Sequence, residues 1–507
     1  MLTKFGFHHF IFALLPVSLL FLDNITEIPI NDIFIPLGIS LIPVIILWAL
    51  LTYFIGTKKS SVIISFLIIL LLLFTYTRSS LIYHDIEEIR IIAKNIILMP
   101  IFSLIGIFGI IYILRKDFSS NITSIINIVS VTVVILIIFQ IGLFSIVNNT
   151  SLEESEKFLN IPIFQADESI QKPDVYLLLL DAYSGEITLE NDFSYDNSKF
   201  YKQLEERGFF VQQESFSNYP NTELSMPSIM NMGYIDFIQK IQGEESSDRG
   251  LTQKLWNENK VMQIFHANEY EIHSFHGRLG SSSDMVTENY CEYYLDLNPE
   301  LMNSLVNFYV PLSIIRTTFL ENAHYETVTC VLDTMINFEK KTDQPIYMHM
   351  HIRFPHPPLI FDSEGNKIDE PVSSNRFDSE LKDAYLQQLI FANKKTIEII
   401  DSIQQKNPDA VIILMSDHGG RFGINWEDPS ELDYFSALNN LNALYFPGKE
   451  TYFPMDVSPV NIFRIFFNLY FESDYEILDE ILIWYVPNQP FKHTDVTEII
   501  KSSQFIK

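Results

Sequence analysis

Two hydrophobic patterns divide this 507-residue chain. The first part consists of long apolar segments with short polar connections, at 7–22, 34–56, 61–77, 95–114 and 123–147. Each segment is about long enough to cross a bilayer as a helix. Later apolar runs are short and alternate with polar stretches. We therefore predict a transmembrane domain of five helices over 1–148, a polar, irregular linker over 149–171 and a separate domain over 172–507.

The short apolar runs of the third region are bounded by turn-forming and charged residues, which is typical of buried parallel strands. Amphipathic stretches lie between them, most clearly at 383–405, where apolar residues recur at helical spacing. Strands that alternate with helices predict an α/β domain with a mainly parallel central sheet.

Charged residues in the connections of the first domain alternate along the chain. Lys4, Lys58-Lys59 and Arg115-Lys116 fall on one side of the predicted membrane, whereas Asp23 and Asp32 fall on the other. Lys and Arg mark the cytoplasmic face. An odd number of spans then exports the third region. We expect a multi-pass protein of the cell membrane (plasma or inner membrane) whose α/β domain lies outside the cytoplasm.

The acidity of the chain lies almost entirely in the exported part. Residues 1–150 carry eight Lys and Arg and seven Asp and Glu, so the remainder has a net charge of −30. Such a surface repels nucleic acid, which we exclude as a partner. An anionic substrate would need a local cation, which a bound metal supplies. Cys291 and Cys330 also lie there, either as a disulfide or as two buried thiols.

Metal-capable side chains follow the predicted strands directly. Asp181 ends one apolar run, and Asp417 with His418 ends another. A third run leads through His349 and His351 into an Arg- and Pro-containing turn; we expect these two histidines to be core residues or to lie behind the ligands. In an open α/β sheet, ligand-binding and catalytic residues lie beyond the carboxyl ends of the strands. The pattern therefore predicts one metal-centred site.

Thr222 follows a Pro220-Asn221 turn and precedes a helical stretch. This predicts a hydroxyl at or near a helix N-terminus, where backbone N–H groups and the helix dipole favour an anion. A free hydroxyl is a poor nucleophile at neutral pH, and direct coordination to a divalent metal would activate it. A threonine here is also a common helix cap, so its assignment depends on the neighbouring motifs.

Together these motifs resemble the alkaline phosphatase/sulfatase superfamily: Asp181 after a strand, Thr222-x-x-Ser225 after a further 41 residues, and Ser416-Asp417-His418-Gly419 far downstream. With the membrane helices, the chain is similar to lipoteichoic acid synthases (phosphoglycerol transferases) and lipid A phosphoethanolamine transferases. The resemblance covers roughly 174–450. It implies that Asp181, Thr222, Asp417 and His418 bind the catalytic metal and that Thr222 is the nucleophile.

The resemblance also suggests substrate-binding residues, namely His356, Arg278, Arg421 and Arg353. His356 resembles the phosphate-binding histidine of those families, and Arg278 resembles a basic residue on the substrate side. Arg421 would take the place of a second such histidine, because none occurs between His418 and His493. Arg353 would anchor phosphate or pair with Asp362.

Other features of this chain differ from lipoteichoic acid synthases and lipid A phosphoethanolamine transferases. Asp181 stands where they have glutamate, and the cysteine pair around the nucleophile of phosphoethanolamine transferases is missing. Sulfatases instead convert a Cys or Ser within a C/S-x-P/A-S/A-R motif. Ser225-Met-Pro-Ser228 imitates this motif, but Ile229 occupies the arginine position.

The sequence therefore predicts transfer of a phosphate-linked headgroup (phosphoglycerol or phosphoethanolamine type) from a phospholipid in the bilayer to an envelope glycan or lipid through a phospho-threonine. An imidazole among oxygen ligands favours one Mn²⁺ or Zn²⁺ over Ca²⁺ or Mg²⁺. Two alternatives stay open. One is a sulfatase or phosphodiesterase that hydrolyses exported esters, and the other is a non-catalytic membrane scaffold with the same fold.

Overall fold

The computed structural model describes residues 6–25, 30–82, 95–116, 120–275, 285–291, 313–372, 381–449, 457–487 and 489–506. Contacts divide the chain into two compact units, 1–147 with 295–316, and 148–294 with 317–507. The described residues of the first unit contain helices only, and every described strand belongs to the second unit.

Five α-helices lie in the described residues before position 160: α1 His8–Asp23, α2 Phe34–Ile55, α3 Thr57–Ile82, α4 Asn95–Arg115 and α5 Ser120–Leu159. The last four are long and apolar enough to cross a membrane. Helix α1 has 16 residues and is about 24 Å long, which is shorter than the roughly 30 Å hydrocarbon core. Four of the five predicted spans therefore have the expected length, and the first segment forms a shorter apolar helix.

The long helices of the first unit turn large apolar side chains outward. Leu50 and Phe54 of α2 are 57% and 76% exposed, and Phe108 of α4 is 67% exposed. Helix α2 contains no charged residue. A helix that is apolar all round needs an apolar environment, which lipid provides.

The predicted irregular linker over 149–171 was wrong for its first half, because α5 continues to Leu159. This polar end of α5 belongs to the second unit and contacts other residues of that unit. The Phe158 ring stacks on Phe237 with centroids 5.2 Å apart, and Glu156 pairs with Lys260. Residues 160–171 are non-helical.

The second unit alternates strands and helices. Its described strands are β1 Val175–Leu180, β2 Phe210–Val211, β3 Glu271–Phe275, β4 Glu288–Tyr290, β5 Ile346–Ile352, β6 Leu359–Phe361, β7 Lys367–Val372, β8 Val411–Met415, β9 Asn442–Tyr445, β10 Ile483–Val486 and β11 Gln489–Asp495. Its described α-helices are α6 Glu186–Asn191, α7 Ser198–Glu205, α8 Thr222–Met230, α9 Ile238–Gln242, α10 Gly250–Asn257, α11 Lys260–Ala267, α12 Ser313–Asn337 (which begins in the first unit), α13 Lys382–Lys406, α14 Glu431–Leu438, α15 Ile462–Tyr470 and α16 Thr497–Lys501.

Seven of these strands form the central sheet in the order β2-β9-β8-β1-β5-β3-β4. The neighbours from β8 to β4 are all parallel, and β9 is antiparallel to both β8 and β2. The α/β class with a mainly parallel sheet is therefore confirmed. Hairpins β6–β7 and β10–β11 stand apart from this sheet.

Strand β1 is buried on both faces, as its uninterrupted apolar sequence requires. Leu178 and Leu180 join the core formed with α13, and Leu177 and Leu179 join the core formed with α8, α11 and α15. Met226 of α8 belongs to the second core, so α8 is fixed against one face of the sheet.

Cys291, which follows β4, forms a disulfide with Cys330 in α12, and their Cα atoms are 5.8 Å apart. The alternative of two buried thiols is therefore wrong. Both cysteines of the chain are used in this bond.

Candidate metal centre and nucleophile

The residues that follow two adjacent strands place acidic and imidazole side chains close together. Strands β1 and β8 are parallel, with Leu179 opposite Met415, so the residues that follow them emerge at the same edge of the sheet. Candidate ligand atoms of Asp181, Asp417 and His418 all lie within 4.8 Å of one another. All three side chains are buried.

Thr222 is the first residue of α8. The Asn221 side chain caps this helix by accepting a hydrogen bond from Leu224 N, 3.2 Å away. The Thr222 hydroxyl donates to Asp417 Oδ2 at 2.5 Å and lies 3.2 Å from His418 Nε2. The four residues for which the sequence predicts one site are therefore together.

The His418 ring is oriented by its own backbone. Nδ1 donates to Gly419 O at 2.7 Å, which leaves the lone pair on Nε2. Nε2 lies 3.4 Å from Asp417 Oδ2 and 3.7 Å from Asp181 Oδ1. Burial, and then the nearby charge of Arg421, lower the pKa of the imidazole to about 3. The ring is therefore neutral at physiological pH, as a metal ligand must be.

Asp417 uses its two carboxylate oxygens differently. Oδ1 accepts hydrogen bonds from Ala182 N at 3.1 Å and from its neighbour His418 N at 3.0 Å, while Oδ2 faces the Thr222 hydroxyl. The Ser225 hydroxyl donates to Asp417 O at 2.6 Å. Burial raises the pKa of the Asp417 carboxyl above its ordinary value. A cation beside it would favour the ionised form.

These donors fit one divalent ion. Two carboxylates, one imidazole with its lone pair directed inward and one hydroxyl form a mixed oxygen and nitrogen ligand set. Such a set suits Mn²⁺ or Zn²⁺ better than Ca²⁺ or Mg²⁺, which prefer oxygen alone.

The turn after β5 reaches the same centre. His356 N donates to Asp181 O at 3.1 Å, which ties this turn to the residue that follows β1. Nδ1 of His356 lies 3.1 Å from Arg353 Nε and 2.5 Å from Pro357 O. Because Nδ1 contacts other residues of the turn, a substrate contact by this ring would use Nε2. Arg353 contacts the His356 ring, as a residue that orients it would.

Arg421 lies beside the nucleophile loop. Its Nη1 donates to Pro220 O at 3.3 Å, and its charge lowers the pKa values of both His418 and Asp417. This position suits the predicted role as a cation near the phosphoryl group. Arg278 lies outside the described residues.

The two histidines of β5 are buried, as expected. His349 Nδ1 lies 3.1 Å from the Tyr347 hydroxyl, and burial lowers the pKa of His349 to about 4. His351 Nε2 lies 3.8 Å from Asp181 Oδ2, and its ring packs on Trp256 with centroids 5.6 Å apart. His351 therefore lies directly behind a proposed ligand.

Sequence reasoning missed most of the polar groups around the first turn of α8. Glu223 follows the nucleophile, and its carboxylate pairs with Arg249. Tyr485 of β10 is buried near Asn221 and Glu223. The position of Glu223 was visible in the sequence. No local signal pointed to Arg249 or Tyr485, because only the folded chain brings them to α8.

A sulfatase family model matches residues 173–451, which is more than half of the chain. The chain belongs to the sulfatase family. Members of the sulfatase superfamily are enzymes, either transferases or hydrolases, and they bind a metal. No curated protein matches the chain.

Several solved structures are similar at low identity. The C-terminal periplasmic domain of EptC from Escherichia coli, in complex with Zn, is 12% identical over 63% of this chain and 93% of its own, with a TM-score of 0.40. The integral membrane protein lipooligosaccharide phosphoethanolamine transferase A (EptA) from Neisseria meningitidis is 11% identical over 92% and 96%, with a TM-score of 0.36. A putative sulfatase from Bacteroides thetaiotaomicron is 13% identical over 63% and 75%, with a TM-score of 0.39.

Proposed function

We propose that this sulfatase-family protein is a membrane-anchored, metal-dependent transferase. It moves a phosphate-linked headgroup from a phospholipid to an envelope glycan or lipid through a phospho-threonine intermediate. One observation carries the proposal: the Thr222 hydroxyl stands at the N-terminus of α8, within hydrogen-bond distance of Asp417 and His418, in a buried site that also holds Asp181.

In the proposed reaction the Thr222 Oγ1–phosphorus bond forms while the bond from phosphorus to the diacylglycerol oxygen breaks. Asp417 Oδ2 is the acceptor for the Thr222 proton, and the diacylglycerol oxygen takes up a proton from water. When bound by Asp181, Thr222, Asp417 and His418, the metal supplies Lewis acidity to the hydroxyl and to the phosphoryl group. An acceptor hydroxyl then attacks phosphorus and the phosphorus–Thr222 bond breaks. Thr222 Oγ1 takes back the proton from Asp417, and the acceptor's proton passes to the hydroxide left by the first step, which regenerates the enzyme.

The remaining residues stabilise charge on the phosphoryl oxygens. We assign this role to Arg421, whose guanidinium contacts the loop before Thr222, and to His356, whose turn is hydrogen-bonded to Asp181. Arg353 orients the His356 ring. We assign Arg278 to the substrate side on the resemblance alone.

The proposed location is the outer face of the cell membrane. Helices α2 to α5 span it, and the connections with Lys58-Lys59 and Arg115-Lys116 lie in the cytoplasm. This orientation of α2 to α5 exports the α/β domain whether or not the shorter α1 crosses the bilayer. A membrane tether confines the enzyme and its lipid donor to one surface.

The position of Ser225 argues against a sulfatase that uses a converted serine. Its buried hydroxyl donates to Asp417 O, and Thr222 is the residue that contacts the candidate ligands. Hydrolysis of a phosphate diester by water, through the same Thr222, is the competing reaction.

The test uses the full chain in mixed vesicles of phosphatidylglycerol and phosphatidylethanolamine, each labelled in its diacylglycerol part. We expect diacylglycerol release that requires added Mn²⁺ or Zn²⁺, and a phosphorylated peptide that contains Thr222 after acid quenching. An envelope glycolipid acceptor should gain the headgroup. Release that yields only free headgroup phosphate would favour the hydrolase, and no release from either lipid would refute the transferase.

A further inference from the structure

A group of polar side chains surrounds the first turn of α8, which begins at Thr222. Glu223 Oε2 pairs with Arg249 Nη1 and accepts a hydrogen bond from Asn221 Nδ2 at 3.2 Å. The side chains of Arg249 and Glu223 are 29% and 31% exposed. This ion pair is therefore partly exposed to solvent and is not part of the core.

Tyr485 completes this group from the C-terminal hairpin. Tyr485 is 4% exposed, and its phenol lies near the Asn221 side chain. Burial raises the pKa of Tyr485 to about 12, and the charges of Arg421, Glu223 and Arg249 act on it as well. The phenol is therefore a protonated donor at physiological pH, close to all three charged groups. We call Asn221, Glu223, Arg249, Arg421 and Tyr485 the Glu223 cluster.

We propose that the Glu223 cluster binds the headgroup that stays on phosphorus, and that it selects an uncharged hydroxylated headgroup such as glycerol over an ammonium headgroup. This inference rests on the proposed transferase function. It adds the chemical class of the donor and names residues that determine it.

The position of the cluster follows from the stereochemistry of the displacement. The attacking and leaving oxygens lie in line through phosphorus, and three other oxygens lie around it. Two of the three carry negative charge, and the third is the ester oxygen of the headgroup. A headgroup that projects sideways from the Thr222–phosphorus axis meets the residues next to Thr222. Glu223 is the adjacent residue, and it lies at the partly exposed side of the first turn.

The charges of the cluster disfavour a cation. Glu223 is neutralised by Arg249, and Arg421 adds a further positive charge, so the cluster as a whole is cationic. An ammonium group would add a like charge within this small volume, which is unfavourable. The same excess of positive charge attracts the phosphate to which the headgroup is attached.

The hydrogen-bonding groups of the cluster match hydroxyls. Arg249, Asn221 and Tyr485 offer donors, and the Glu223 carboxylate offers acceptor oxygens. Among the described residues, the ion pair and the hydrogen bond of this carboxylate both involve Oε2. A hydroxyl both donates and accepts and can use the two kinds of group together. An ammonium group only donates, and Glu223 is the one anionic acceptor of the cluster.

The experiment compares donors in the full-length protein with Mn²⁺. Diacylglycerol release is measured from vesicles that contain phosphatidylglycerol or phosphatidylethanolamine as the only cleavable lipid. For the wild type we expect at least a tenfold preference in kcat/KM for phosphatidylglycerol. Arg249→Ala leaves the Glu223 charge uncompensated, so we expect release from phosphatidylethanolamine to rise and the preference to fall at least tenfold. A misfolded variant cannot produce such a gain.

Three further variants sharpen the test. Glu223→Ala removes the acceptor oxygens and should raise the KM for phosphatidylglycerol about tenfold, and Glu223→Gln, which keeps one acceptor oxygen, should raise this KM less. Arg207→Ala breaks another arginine–carboxylate pair, with Asp401, and serves as the matched control with an unchanged preference.

The outcomes separate the two proposals. A wild type that prefers phosphatidylethanolamine, or an Arg249→Ala variant whose preference is unchanged, overturns the assignment of the headgroup and leaves the transferase standing. Release from neither lipid refutes the proposed function itself.

Discussion

At the scale of single residues, Asp417 forms hydrogen bonds to several parts of the candidate centre. Its Oδ1 accepts two backbone N–H groups, its Oδ2 accepts the Thr222 hydroxyl, and its carbonyl oxygen accepts the Ser225 hydroxyl. Because every oxygen of this buried residue has a defined partner, the carboxylate keeps one orientation. The orientation directs Oδ2 toward His418 Nε2, 3.4 Å away.

Substitution of Thr222 tests the nucleophile. We expect Thr222→Ala to lower diacylglycerol release by several orders of magnitude, because no hydroxyl remains to attack phosphorus. Loss of this side chain near a helix start should cost only about 0.5–2 kcal/mol of folding free energy. Thr222→Ser should retain part of the activity. The measurements are initial rates and a thermal denaturation curve for each variant.

Ser225→Ala is the matched control that tests whether Thr222 or Ser225 is the nucleophile. It removes one hydrogen bond to Asp417 O, worth about 1 kcal/mol, and should keep the activity. If Ser225→Ala is inactive while Thr222→Ala is active, the nucleophile is three residues further along. If both variants keep wild-type release, a scaffold without this chemistry gains support.

Metal binding tests the ligand set independently of activity. We expect Asp181→Asn and Asp417→Asn to weaken Mn²⁺ or Zn²⁺ binding by more than about tenfold, because each removes an anionic ligand. Titration calorimetry of the full-length protein in detergent measures this directly. Asp401→Asn, on the exposed side of α13, is the control and should bind metal like the wild type. Equal affinity in all four proteins would place the ion elsewhere.

At the scale of elements, the parallel neighbours β8, β1 and β5 determine what meets at the centre. Their carboxyl ends lie at one edge, so the residues after β1 and β8 become neighbours although they are more than 200 positions apart. This part of the site could be predicted, since buried runs that end in acidic residues are visible in the sequence. The length of α5 could not, because the residues that pack against Phe158 and Leu159 at its polar end are distant in sequence.

The burial of His349 in β5 makes the folding stability of the protein depend on pH. The folded-state pKa of His349 is about 4, below the value near 6.5 of an unfolded chain. Between these values the unfolded chain binds a proton that the folded chain does not. Stability should therefore fall as the pH is lowered from 6.5 to 4, by up to roughly 3 kcal/mol from this residue.

His349→Leu tests this dependence by removing the titrating ring. Thermal denaturation of the full-length protein in detergent at pH 7 and pH 5 should show a smaller loss of stability in the variant than in the wild type. His266→Leu, at an exposed position on α11, should behave like the wild type. An unchanged loss in His349→Leu would contradict the prediction.

At the scale of the whole molecule, the chain couples apolar helices to a strongly acidic α/β domain. Helices α2 to α5 make four crossings, so the chain before α2 and the chain after α5 lie on the same side of the membrane. These four helices therefore determine the side on which the α/β domain lies. For a protein of this proposed function the orientation matters, because envelope acceptors occur only outside the cytoplasm.

Cysteine labelling measures this topology. The two native cysteines form a disulfide, so an engineered cysteine supplies the free thiol. We expect an impermeant maleimide to label Glu154→Cys on intact cells and to leave Lys58→Cys unlabelled until the cells are permeabilised. Both positions are exposed, whereas Ser155 next to the first is buried. The reverse pattern would place the α/β domain in the cytoplasm.

The sequence by itself determined the class of the fold, four helices with the length and apolarity of membrane spans and the meeting of Asp181 with Asp417 and His418. These features depend on local patterns: the length of apolar runs, and the residues that end buried strands. The sulfatase family followed from the same motifs, and the family model confirms it.

Only the tertiary structure decided the contacts of Thr222, the disulfide and the Glu223 cluster. Thr222 meets Asp417 across 195 positions, and Tyr485 reaches α8 because Ile483 of its strand donates to Asn218 O at 2.9 Å. The physical reason is that a local pattern reports which face of an element is buried and where the element ends. The partner of a side chain beyond that end depends on how distant elements pack.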